Sequence, residues 1–229
     1  MKLEGITDIF FDLDHTIWDF DKNSALAFEK IFKLNQVDVA LEDFLIHYKE
    51  INFRYWKLYR DEKIDKDLLR FGRLNDTFLA LRCVVDKDLI MKLSADYITY
   101  LTDHNYLIDN AIVVLDYLSA SYNLHILSNG FEEVQYRKLT KSNIHHYFKS
   151  ITNGETVGIK KPNPEIFNYA LKMANTHVKN SIMVGDGYEA DILGAMGIGM
   201  EAIYFRNNDK AIYGDVKQIT NLIELKKYL

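Results

Sequence analysis

The chain has 229 residues, 48% of them hydrophobic and 27% charged, with a net charge of −5, which suits a globular protein of one large domain or a domain plus an insert. No Lys/Arg cluster argues for duplex nucleic acid as a partner, and no window approaches ~18 uninterrupted apolar residues, so no membrane partner is expected. Cys83 is the single cysteine, which excludes an internal disulfide or a cysteine metal site; with no signal-like apolar core at the amino terminus, a cytoplasmic protein is expected.

The first element is an apolar strand ending abruptly in acids: Ile9-Phe10-Phe11-Asp12-Leu13-Asp14-His15-Thr16. In a strand, carboxylates two residues apart point to one face. Two like charges at the end of a buried strand are unfavourable unless a cation lies between them. A divalent metal with oxygen ligands would meet that need. A strand running into a solvated acidic turn explains the same residues, and the motif alone does not separate the two.

From Trp18 to Tyr106 the only breaker is Gly72, and both prolines lie elsewhere. Long helices with polar joints are expected here. Leu26, Ile31 and Phe32 mark a first helix beginning after Asp21 or Asn23. Phe44, Tyr48, Ile51, Tyr55 and Leu58 mark a second at helical spacing. Leu68, Leu69, Gly72, Leu74 and Phe78 mark a third, and Leu89, Leu93, Tyr97 and Tyr100 a fourth. Four such helices pack as a bundle.

After residue 106 short apolar runs alternate with helical stretches. Strands are expected at 124–128, 150–152, 181–184 and 202–205, with helices near 110–121, 131–142, 164–175 and 189–196. Alternation of this kind gives an α/β fold, a Rossmann-like parallel sheet with helices on both faces. Ligands bind such sheets beyond the carboxyl ends of the strands.

The chemistry-bearing residues fall at those ends. Ser128 precedes Asn129-Gly130, where a hydroxyl and backbone N–H groups suit a phosphate oxygen, though serine before Asn-Gly is also an ordinary turn. Lys161 precedes Pro162-Asn163-Pro164-Glu165, a helix start capped by Asn163. A cation there is understandable beside a bound anion; a solvated lysine pair with Lys160 is the plainer reading. Asp186, between Gly185 and Gly187, ends a strand as Asp12 does, with Asp191 one helical turn on. Helix capping is the alternative for these acids.

Taken together, acid pair, hydroxyl, lysine and acid pair at successive strand ends resemble the haloacid dehalogenase-like hydrolase superfamily over the whole chain. Asp12-Leu13-Asp14-His15-Thr16, Ser128, Lys161 and Asp186 to Asp191 look like its four motifs in order. Its dehalogenases lack an acid at the position of Asp14 and its phosphatases have one. Its mutases commonly carry glycine where His15 stands. The runs Asp14 to Phe20, Ser128 to Gln135 and Glu155 to Pro162 further resemble the pyrimidine 5′-nucleotidase branch.

The resemblance implies a catalytic core of residues 1–17 and 107–229 with an α-helical bundle cap of residues 18–106, which closes over the site. It implies Mg²⁺, held by the Asp12 carboxylate, the Asp14 backbone carbonyl and Asp186, with Asp191 in support. Asp12 is then the nucleophile and Asp14 the general acid and base. Ser128, the Asn129 N–H and Lys161 hold the phosphate, and Thr16 supports the first loop through its hydroxyl. The partner implied is a small phosphorylated metabolite, in the first place a nucleotide. The cap carries half of the chain's 30 aromatic residues, mostly as core, and Trp56, Arg70 and Arg73 are its candidate substrate residues. For both arginines a solvated helix face is the plainer expectation. Another small phosphate, such as a sugar phosphate or phosphoglycolate, is the alternative substrate. A non-catalytic phosphate-binding protein is disfavoured by the intact acids and lysine, and a receiver-like domain by the helical insert.

Overall fold

The computed structural model describes residues 2–206, 214 and 216–229. It divides into two compact units, residues 1–20 with 105–229 and residues 21–104.

The first unit is built on six parallel strands: β1 (Asp8–Phe11), β2 (Asn123–Ser128), β3 (Phe148–Asn153), β4 (Ser181–Gly185), β5 (Glu201–Phe205) and β6 (Lys217–Ile219). Their order is β3-β2-β1-β4-β5-β6. The chain steps outward from β1 on one side, then returns to build β4 to β6 on the other. That reversal places a crevice beyond the carboxyl end of β1, the position where ligands bind in open α/β sheets. Strands β1 and β4 are buried throughout, as parallel strands covered on both faces must be. Phe10, Leu127 and Met183 pack on one face against Ile166, Phe167, Ala170 and Ile192.

Five of the six strands fall where the apolar runs predict. The sixth, Lys217-Gln218-Ile219, has only Ile219 buried, so no apolar run announces it. The helix at 188–193 is π-helical and runs on into a short α-helix at 194–197. Further α-helices of this unit span Ala111–Ser119, Glu132–Lys141, Gly154–Val157 and Pro164–Ala174. No described helix is long and apolar enough to cross a membrane.

The second unit contains nearly all of α1 (Phe20–Leu34), with α2 (Leu41–Arg60), α3 (Lys66–Ala80) and α4 (Lys87–Tyr100). Asp65 and Asp86 cap α3 and α4, accepting from Leu68 N at 2.7 Å and Leu89 N at 2.8 Å. Phe28, Phe32, Phe44, Tyr48, Phe78 and Tyr97 form its aromatic core, with Phe28 stacked on Tyr97 at 4.5 Å. The buried stripe of α3 differs from the expected one. Leu68 is exposed, whereas Leu69, Gly72, Arg73, Leu74, Thr77 and Phe78 are buried. An apolar pattern passes over Arg73 and Thr77, which reach the inward face with internal bonds, although Arg73 Nε has no partner among the described residues. Arg73 Nη1 donates to Asn52 Oδ1 at 2.9 Å, and Thr77 Oγ1 donates to the Arg73 carbonyl at 2.6 Å.

Candidate active site

Asp12 follows the last residue of β1. Its N–H donates to the Val184 carbonyl at 2.9 Å, which carries the β1–β4 pairing one residue further and fixes Asp12 at the carboxyl end of the sheet. Leu13 to Trp18 then turn tightly, with the Ile17 and Trp18 N–H groups both donating to the Leu13 carbonyl at 2.9 Å. His15 sits in this turn at φ +62°.

Lys161 is almost completely buried, and its ammonium donates to Asp12 Oδ1 at 2.7 Å, Asp191 Oδ1 at 2.7 Å and the Leu127 carbonyl at 2.5 Å. A two-way clasp holds it there. Asn129 Nδ2 donates to the Lys161 carbonyl at 2.9 Å, and the Lys161 N–H donates to Asn129 Oδ1 at 2.8 Å. The Asn163 cap starts the next helix, accepting from Glu165 N at 3.0 Å with Pro164 in its first turn.

Asp191 is carried to the site by the π-helical turn after β4, a wide turn often found at functional sites. Its Oδ2 accepts from the Gly187 N–H at 2.8 Å. A Cβ at Gly185 would stand 2.2 Å from that same oxygen, so this close approach needs glycine. Oxygens of Asp12, Asp186 and Asp191 lie within 4.8 Å of one another. Three carboxylates around one ammonium leave an excess of negative charge, and the donors are all oxygen, which fits a hard divalent cation. Burial pushes the Asp12 carboxyl well above its usual range; the charges of Asp191 and Asp186 add to this and Lys161 opposes it. Asp191 is raised likewise, by burial and by Asp186, against Lys161 and the Gly187 N–H. For Lys161 burial alone would lower the pKa, but Asp12 and Asp191 outweigh it and the ammonium is held charged.

Ser128 ends β2 and is buried; its Oγ accepts from the Gly130 N–H at 3.1 Å and from Gln135 Nε2 at 2.6 Å. With two donors aimed at it, the hydroxyl has its own proton left for an anion.

Asp14 lies beyond the strand, in the turn that bridges it to Trp18. The strand ends at Phe11, so period-two alternation does not extend to residue 14. Instead Asp14 Oδ1 accepts from Lys138 Nζ at 2.5 Å and Oδ2 from Gln135 Nε2 at 2.9 Å. Each of the two carboxylates has a lysine of its own, Lys161 for Asp12 and Lys138 for Asp14. Thr16 is fully buried and its Oγ1 has no hydrogen-bond partner among the described residues; backbone bonds hold the loop.

Trp56, Arg70 and Arg73 lie in the helical unit. Trp56 is half-buried with its ring edge-on to Tyr59 at 5.7 Å, and Arg70 is half-buried. Arg73 is 2% exposed, not a solvated residue, and its guanidinium lies 5.1 Å from the Tyr97 ring.

The sequence pattern alone assigns no role to Gln135 or Lys138. A signal for them exists: on the helix Glu132–Lys141 the buried residues are Val134, Gln135, Lys138 and Leu139, so two polar side chains occupy the apolar face. Asp8 and His125, buried polar residues inside apolar strands, were passed over in the same way.

Residues 9–205 match the family model described as haloacid dehalogenase-like hydrolase. The protein YfnB of Bacillus subtilis (strain 168) is 28% identical over 220 residues, 96% of this chain and 91% of that protein. Its crystal structure, bound to magnesium, superposes with a TM-score of 0.87 over 97% of each chain. The pyrimidine 5′-nucleotidase YjjG of Escherichia coli (strain K12) is 32% identical over 84% of this chain and 82% of its own length. A glyceraldehyde 3-phosphate phosphatase of Methanothermobacter thermautotrophicus is 30% identical over 85% of this chain and 83% of its own. A match over most of the chain, relatives of this kind and acids, hydroxyl and lysine gathered at the carboxyl end of the sheet lead to one assignment: the chain belongs to the haloacid dehalogenase-like hydrolase family, as an enzyme of the phosphatase kind.

Proposed function

We propose that the enzyme is a Mg²⁺-dependent phosphomonoester hydrolase working through an aspartyl-phosphate on Asp12, and that its substrates are nucleoside 5′-monophosphates, pyrimidine nucleotides first. One observation carries the chemistry: a buried carboxylate, Asp12, held by the buried Lys161 beside two further acids. Asp12, Asp186 and the Asp14 carbonyl would hold the ion, with Asp191 fixing Lys161 and the Gly187 loop behind them. When bound, Mg²⁺ neutralises charge on the phosphoryl oxygens.

The protein's own groups do the rest. Ser128, the Asn129 N–H and Lys161 hold the phosphate against Asp12 and offset the repulsion between two anions. Asp12 forms its bond to phosphorus as the ester oxygen leaves with a proton from Asp14. Water then attacks the phosphorus, gives its proton to Asp14 and frees the Asp12 carboxylate and inorganic phosphate.

Substrate choice is assigned to Trp56 and Arg70, with Arg73, buried and bonded to Asn52, supporting the helices that carry them. The nucleotide reading is supported by the likeness to YjjG. The glyceraldehyde 3-phosphate phosphatases, nearly as similar, favour a small sugar phosphate as the second reading. A cytoplasmic setting suits either. Phosphate release over nucleoside monophosphates and sugar phosphates, with and without Mg²⁺, decides between them. Pyrimidine nucleotides should lead by kcat/KM; turnover of no phosphate ester with Mg²⁺ would sink both. Alanine at Trp56 or Arg70 should raise KM for nucleotides and not for p-nitrophenyl phosphate.

A further inference from the structure

Gln135 and Lys138 stand three residues apart on one helix, a spacing that places both side chains on one face. Both are buried, and both end on the Asp14 carboxylate, one on each oxygen. The Gln135 amide also donates to Ser128 Oγ, so one NH₂ group ties the phosphate-binding hydroxyl to Asp14. A Cβ at position 130 would stand 2.0 Å from Gln135 Nε2; only glycine lets the amide cross there. The Lys138 ammonium lies 4.5 Å from the Trp18 ring centroid and 5.4 Å from that of Phe20, with 3% of its side chain exposed.

A buried lysine on the apolar face of a helix is an unfavourable way to fill space, since its charge must be desolvated. Leucine or methionine would pack there at less cost. The feature that accounts for an ammonium is Asp14. A carboxylate that transfers protons must stand within hydrogen-bond reach of the reacting oxygen, and small displacements slow such steps strongly. Asp14 lies beyond the end of β1, held by an isolated bridge to Trp18 and not by the sheet.

We propose that Gln135 and Lys138 are positioning residues for proton transfer by Asp14, with Gln135 setting its carboxylate in register with the phosphate held at Ser128. This rests on the phosphatase reading above. The test uses leaving groups. A nitrophenolate departs without a proton, whereas the alkoxide of a nucleotide or sugar phosphate needs one. Lys138→Met, which keeps the stem over Trp18, should lower kcat/KM for the best alkyl phosphate by about 10- to 100-fold, within the range general acid catalysis supplies. For p-nitrophenyl phosphate the loss should stay under about threefold. Lys138→Arg should recover part of the loss. Gln135→Met should show the same selectivity, and carries the test if Lys138→Met does not fold. In an Asp14→Asn background neither substitution should slow the alkyl substrate further.

Equal losses on both substrates, or an undiminished loss in the Asp14→Asn background, would overturn the proposal while leaving the phosphatase reading intact. A wild-type enzyme that hydrolyses neither substrate would instead remove the phosphatase reading itself.

Discussion

The sheet buries carboxylates towards both ends, and the two ends treat them oppositely. Towards the amino end, Asp8 has a donor for every lone pair. Thr7 and Thr176 hydroxyls reach Oδ2 at 2.6 and 2.7 Å, and His125 Nε2 and Asn123 Nδ2 reach Oδ1 at 3.0 and 3.1 Å. Burial alone would raise its pKa, but these four bonds outweigh it and hold the carboxyl below the usual range. At the carboxyl end, burial raises Asp12 and Asp191, and one ammonium serves both. A satisfied buried charge belongs to the architecture. An under-neutralised cluster beside a crevice is a site prepared for a charge that arrives from outside.

The largest expected effect separates the two ends directly. Asp12→Asn should lower kcat by about 10³-fold or more, as loss of a nucleophile does, with little change in melting temperature of the metal-free protein. Asp8→Asn should do the reverse. Its amide nitrogen would face donors, and breaking such a network should cost about 2 to 4 kcal/mol of stability while kcat of the folded enzyme is unchanged. Denaturant unfolding and steady-state kinetics on both variants check this. An Asp12→Asn protein with near-native turnover would end the assignment of the nucleophile.

The division of labour was only partly legible in the sequence. Strand ends were legible at Asp12, Ser128 and Asp186 because parallel strands, covered on both faces, read as unbroken apolar runs that stop at polar residues. Strand β6 was not, because a short edge strand needs no such run. Helices were placed within a few residues, but the phase of α3 was not, since Arg73 lies inward through contacts 21 residues away in sequence. Lys138 and Gln135 were hidden for the same reason: a polar residue in a helix reads as solvated unless its distant partner is known. The orientation of Asp14 is not given by its spacing from Asp12, because β1 stops at Phe11 and the partners of Asp14, Gln135 and Lys138, lie far away in sequence.

Metal addition gives a smaller expected effect, confined to the carboxyl end. At a Mg²⁺ concentration of about 100 times Kd the folded state should gain about 2.7 kcal/mol, read as a higher melting temperature that EDTA reverses. Asp186→Asn should remove most of that gain, since it replaces one carboxylate oxygen of the cluster. Asp8→Asn should retain it in full. A Mg²⁺ shift that survives Asp186→Asn would move the ion away from this cluster.

The smallest expected effect is a change in slope with pH, and it belongs to the amino end. Ionised Asp8 only accepts, so His125 Nε2 must carry the proton and Nδ1 accepts from Ser150 Oγ at 2.8 Å. Burial lowers the His125 pKa from 6.5, against the hydrogen bond and charge of Asp8, which raise it. The unfolded chain therefore binds more protons at this residue below pH 6.5, and stability contributed by neutral His125 is lost as pH falls from 6.5 through its folded value. Asp8 adds a loss in the same direction at lower pH, below its usual 3.8. The raised carboxyls of Asp12 and Asp191 tilt the metal-free protein the other way, since there the folded state binds the extra protons. The wild-type curve mixes these slopes, so the measurement is the difference between wild type and His125→Gln, in which the carboxyl-end contributions cancel. That difference should shrink as pH falls below 6.5, because only the wild type loses stability through His125; a difference constant with pH would mean that His125 titrates alike in the folded and unfolded chain.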